Sequence, residues 1–151
     1  MSVNAADVRK HLPVLQAATG LVLFELGKVP GEKDPTTGVA VPGVAPATYG
    51  LIQVERVGRA AVTMNRRARK TSWRVSLRAV GKSTPHNCRA ALNQLLALEN
   101  QRLVIDGHTS TPVHVEDSED SQPDGNAFSA LIRFTYTLQD TPDGSRSRPD
   151  P

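Results

Sequence analysis

Large aromatic side chains are scarce: one tryptophan, two tyrosines and three phenylalanines in 151 residues. A core with so few rings has to use them centrally, which marks Trp73, Phe128, Phe134 and Tyr136 as its main components. Cys88 is the single cysteine. An internal disulfide is therefore impossible, and a reducing cytosol is the default compartment. No apolar run approaches the ~20 residues that span a bilayer. The N-terminus lacks a basic segment followed by an apolar run, so a secretory signal is not expected. There is no G-x-S-x-G elbow, no P-loop and no dinucleotide fingerprint. None of the histidines lies in a catalytic or zinc-binding motif; His86 and Cys88, two apart on a helix, diverge by about half a turn. These absences lead us to expect no enzyme activity, no metal and no cofactor.

What is present is a clear strand–turn–helix unit, SWRVSLRAVGKSTPHNCRAALNQLLAL, from Ser72 to Leu98. Trp73, Val75, Leu77 and Ala79 alternate with Ser72, Arg74, Ser76 and Arg78, the pattern of a sheet with one dry and one wet face. Thr84 is placed to cap the helix and Pro85 takes its first position. Cys88, Ala91, Leu92 and Leu95 form its apolar stripe. Phe128–Leu138 (FSALIRFTYTL) reads as the longest strand, with Phe128, Ala130, Ile132, Phe134, Tyr136 and Leu138 on its core face. Matching parity predicts that Trp73, Leu77, Leu92, Leu95, Ile132 and Phe134 are buried together.

The remaining elements are shorter. Asn4 is placed to cap a first helix carrying Val8, Leu12 and Leu15, with Pro13 expected to kink it or end it early. Gly20 is a terminator. Leu21–Leu26 is a short apolar strand and Tyr49–Val57 a longer one. Between them, Lys28–Thr48 is punctuated by proline and glycine too often for regular structure. Arg102–Ile105 enters Asp106-Gly107, a hairpin signal because both turn positions need positive φ. The return arm runs through His108–Val115, with Pro112 demoting part of it to an edge or bulge. Glu116–Asn126 reads as an acidic loop. The expected architecture is α+β: a mostly antiparallel sheet backed by two helices in a single domain over 1–139. The segment 140–151 has no apolar side chain to bury and is expected to be a disordered tail.

The net charge is +3. Such a mild balance permits nucleic-acid contact without requiring it. Arg66, Arg67, Arg69 and Lys70, with Arg74 and Arg78, offer charge for phosphate. The only tryptophan that could stack on a base, Trp73, falls on the opposite face. A small nucleic-acid-binding module is kept as an alternative. Glu116, Asp117, Glu119, Asp120 and Asp124 do not have the spacing of a helix–loop–helix calcium site.

The order of elements, with the phrases WRVSLRAVG, QRLVIDG and VEDS, resembles the tail terminator (tail-to-head joining) proteins of long-tailed phages, especially those of actinobacteria. The resemblance covers about residues 4–138. It implies a structural virion protein at the head–tail junction, made in the host cytoplasm. Such proteins form a ring, usually a hexamer, on the tail tube. The ring stops tube polymerisation and meets a head-completion protein, and DNA passes through its lumen without sequence-specific binding. The implied partners are further copies of the chain, the major tail tube protein and that neck protein, with no membrane. Other neck proteins and minor tail proteins share several of these features. On this reading the assembly surface comprises Val39, Val41 and Val44, the basic Arg66, Arg67, Arg69 and Lys70, and an acidic set, Glu116, Asp117, Glu119 and Asp120. The basic group would pair with the acidic one on an adjacent subunit.

Overall fold

The computed structural model describes residues 5–34, 37–59 and 70–139. Helix α1 (Ala5–Thr19) is followed by the short strand β1 (Leu23–Glu25) and the long strands β2 (Thr48–Arg59) and β3 (Lys70–Lys82). Helix α2 (Pro85–Leu96) comes next, then a ribbon of β4 (Val104–Ile105) and β5 (His108–Thr109). The chain ends in β6 (His114–Ser118), β7 (Gln122–Asp124) and β8 (Ala127–Gln139). The main sheet runs β1-β2-β3-β8-β6, with β7 also on β8. Every pairing in it is antiparallel except the parallel β1–β2 contact. The α+β architecture expected from the sequence is the one observed.

The centre of the molecule is the β3–β8 ladder, paired continuously from Lys70↔Gln139 to Lys82↔Ala127. Its dry face is the expected one: Trp73, Val75, Leu77 and Ala79 lie beside Ala130, Ile132, Phe134, Tyr136 and Leu138, all buried. Val8 and Leu15 of α1 and Cys88, Ala91 and Leu95 of α2 join the same cluster, so both helices cover one face. Leu92 only flanks this core and is partly buried. Thr84 accepts from the Asn87 backbone N–H at 3.3 Å and Pro85 opens α2, as a capped helix start requires. Gly81 is the enabling residue here. A Cβ at this position would stand 2.0 Å from the Cys88 nitrogen, so only glycine lets α2 turn back so closely onto β3.

Several expectations need correction. Helix α1 runs through Pro13 to Thr19. Pro13 is exposed, so the Arg9 carbonyl it leaves without a donor can be hydrated. Gly20 ends the helix as expected, with φ +71° and its N–H on the Gln16 carbonyl at 2.9 Å. Asn4, the expected cap, lies outside the described residues. The Arg102–Val115 hairpin is shorter than expected, although Asp106 and Gly107 both have positive φ, as the turn demands. Glu116–Asn126 is only partly a loop, at residues 119–121 and 125–126. His114–Ser118 and Gln122–Asp124 are strands on β8. The strand signal was hidden because an irregularity between Val115 and Asp117 breaks the alternation. The segment 140–151, expected to be a tail, is outside the described residues.

Candidate assembly surface

Among the described residues, no second layer covers the face of the sheet away from the helices. At one corner it is covered by the stretch between β1 and β2. This stretch was expected to be irregular, yet its two limbs pair. The Gly31 N–H donates to the Val41 carbonyl and the Val41 N–H to the Glu32 carbonyl, each at 2.8 Å; the Asp34 N–H reaches the Val39 carbonyl at 2.9 Å. Lys28 pairs with Asp34 at 3.3 Å. The result is a hairpin-like arm.

The base of the arm is a small second core. Val29 and Ala45 are buried against Tyr49 and Val80, with Phe24, Leu51 and Ala127 beside them. The Phe24 and Tyr49 rings meet edge to face at 5.6 Å. Burial, helped by the Glu32 carboxylate, pushes the Tyr49 hydroxyl up to about 12. Val29 therefore anchors the arm. Beyond this base, Val39 and Val44 are 66% and 85% exposed. Val41 between them is half-buried.

The rest of the open face is mostly polar, with Leu131 opposite Arg78 as an apolar exception, and several of its charged groups pair within the chain. Arg74 on β3 lies opposite Glu55 on β2, and its Nη1 donates to Glu55 Oε1 at 3.2 Å. Its Nε and Nη2 reach over β8 to the Glu116 carboxylate on β6, at 2.8 and 3.3 Å. The two-pronged contact holds the Glu116 carboxyl below its ordinary value and raises the Arg74 guanidinium above its own. Arg133 on β8 holds Asp117 at 3.0 Å. The irregularity in β6 makes this possible. Glu116 has no cross-strand partner, while Asp117 faces Arg133, so two consecutive carboxylates serve one face. Arg78 donates to the Ser129 hydroxyl at 3.2 Å.

The expected surface residues are thus distributed unequally. Val39, Val41 and Val44 sit together on the arm. Glu116 and Asp117 lie on β6 and already pair within the chain, whereas Glu119 and Asp120 are exposed in the β6–β7 connection. Lys70 begins β3. Arg66, Arg67 and Arg69 lie outside the described residues. The sequence reading missed Glu55 and Arg133 as partners in the charged network. Their signal was the register: once β2, β3 and β8 are aligned, both fall on the wet face beside Arg74. Among the described residues, no three His, Cys, Asp or Glu side chains gather where a metal ion could be held. No helix among them is long and apolar enough to cross a membrane.

The fold is similar to that of a solved chain from the virion of a native gene transfer agent (GTA) particle. The two align with a TM-score of 0.56 at 12% identity, over 83% of this chain and 84% of that one. This likeness is one of fold. A second solved chain aligns over 91% of this chain and 94% of its own at 14% identity, with a TM-score of 0.44. No family profile and no curated protein sequence matches the chain.

Proposed function

We propose that the chain is a structural component of a phage or phage-like virion, and specifically a tail terminator. The fold shared with a gene transfer agent virion chain, over more than four fifths of both molecules, is the observation that carries the virion reading. The tail-terminator reading adds the sequence phrases WRVSLRAVG, QRLVIDG and VEDS. In this role the protein acts by contact, not by turnover. Copies assemble head-to-tail, and a constant rotation closes them into a ring. A hexamer matches the resemblance. The ring occupies the tube end that the next ring of tail tube protein would otherwise use. Its other side meets a neck protein at the head, and DNA passes through the lumen without being read.

The arm supports this role physically. Its base is locked into the sheet, while Val39 and Val44 sit in water, where their apolar surface gains about 25 cal/mol per Å² when a neighbour covers it. The exposed carboxylates Glu119 and Asp120 and the basic Arg66, Arg67, Arg69 and Lys70 supply complementary charge for a neighbouring subunit, each pair weak but repeated around the ring. The test is electron microscopy of tails assembled with Val39→Asp/Val44→Asp. The variant chain should fold normally, and its tails should be overlong and lack heads. Tails of normal length, capped and joined to heads, would refute the arm as the assembly contact.

A further inference from the structure

Three leucines interrupt the polar surface of the open face. Leu51 on β2, Arg78 on β3 and Leu131 on β8 stand in one row across the sheet. With Leu26 and Arg133 they line a groove of about 280 Å³. Leu26 is 53% exposed, and Leu51 and Leu131 are half-buried. Apolar residues scattered singly over a surface need no explanation, but three around one groove mark a place where another apolar surface can seat. The ion pairs of Arg74 and Arg133 flank it, giving the apolar centre and polar rim of an interface.

Arg78 differs from the arginines around it. It donates to the neutral Ser129 hydroxyl and has no ion pair among the described residues. A guanidinium carries five N–H donors and no acceptor. The groove therefore suits apolar side chains accompanied by oxygen acceptors.

The arm has both. Val39 and Val44 are its exposed apolar side chains, and Pro42 and Pro46 carry no N–H, so carbonyl oxygens outnumber donors along that limb. The arm does not cover the groove of its own chain. Its base is fixed at the corner of the sheet, the bonds between its limbs hold it together, and none of its valines lines the groove. One chain thus carries two matching surfaces that do not meet within it. Contact between different patches of identical chains is head-to-tail, the kind that closes into a ring.

We propose that the arm of one copy docks in the open-face groove of the next, with Val39 and Val44 against Leu26, Leu51 and Leu131, and with Arg78 donating to carbonyl oxygens of the arm. This inference rests on the ring reading and names the surface that receives the arm.

Cys88 is the only cysteine and is buried, so introduced surface thiols can be cross-linked selectively. Chains carrying Val39→Cys and chains carrying Leu131→Cys would be produced together, and tails containing both treated with a short bis-maleimide. A covalent dimer should form that neither variant gives alone. If the chain is present in the tails but the mixture gives no dimer, or if Val39→Cys alone dimerises as well, the groove is not the acceptor, and the ring reading survives. Absence of the wild-type chain from tails would overturn the ring reading and this inference with it. Should the cysteine variants not enter tails, Leu131→Asp decides. It alters a partly exposed side chain, so the purified chain should keep its thermal midpoint to within a few degrees, while its tails should be overlong and lack heads. Arg89→Asp, on the exposed side of α2, should leave the tails normal. Capped tails of normal length joined to heads in Leu131→Asp would reject the groove.

Discussion

On the helix-covered face of the sheet, Val54, Val75, Leu77, Ile132 and Phe134 lie side by side out of water. On the other face the same strands present Glu55, Arg74, Ser76, Arg133 and Thr135, and Arg74 and Arg133 make ion pairs, with Glu55 and Glu116 and with Asp117, that water still reaches. The first face takes its free energy from burial, and its cost of change is set by volume. The second takes little from each pair, because exposed charges are screened and their side chains lose freedom when held. The difference separates two jobs: the dry face makes the domain stable, and the wet face with its arm is left available to other molecules.

That division can be broken in order of expected effect. Phe134→Ala, at the middle of the dry face, should cost about 3–5 kcal/mol, read as a fall in the denaturation midpoint. A loss comparable to that of a surface substitution would mean that the β3–β8 ladder is not the core. Next comes His11, a titratable group placed on the dry side. Its pKa falls from 6.5 to about 4 on folding, chiefly through burial. The unfolded chain therefore takes up this proton first. The contribution is present above about pH 6.5 and lost progressively down to about pH 4, amounting to about 3 kcal/mol. His11→Gln should flatten that part of the stability–pH curve, whatever it does to stability at neutral pH. An unchanged slope would remove His11 as its source. The smallest effect belongs to the wet face. Glu116→Gln should shift the thermal midpoint by no more than a few degrees, and added salt should shrink the difference further. A larger, salt-insensitive loss would show that the Arg74 contact bears on folding and would erase the contrast between the faces.

The same contrast explains what the sequence revealed. β3, β8 and α2 were legible because alternation persists over many residues and because Thr84-Pro85 marks the helix start. The wet side was harder to read. Glu116 and Asp117 resembled a solvated loop because the break in β6 destroys the period-two signal, and an edge strand has little need of apolar residues. The arm was read as irregular because its order rests on backbone hydrogen bonds, to which side-chain chemistry is blind. Pro13 misled because a helix tolerates a missing donor where the orphaned carbonyl can find water. His11 drew no attention, since a histidine at a helical core position has no local signature; only its meeting with Trp73 and Tyr136, distant in the chain, defines it. Of the proposed assembly surface, the valines drew attention in the sequence because they are too apolar for an isolated loop.

The parallel β1–β2 contact has a mechanical consequence. The arm leaves just after Glu25 and returns at Thr48, so both ends of the hairpin join neighbouring strands that run in the same direction. A pull on its tip is delivered to the start of a twelve-residue strand held by β1 on one side and β3 on the other. Traction along that strand loads its ladder bonds together in shear, so that none has to yield alone. The arm is mounted as a tether mounts to a beam, able to transmit force between molecules without unzipping the domain that carries it.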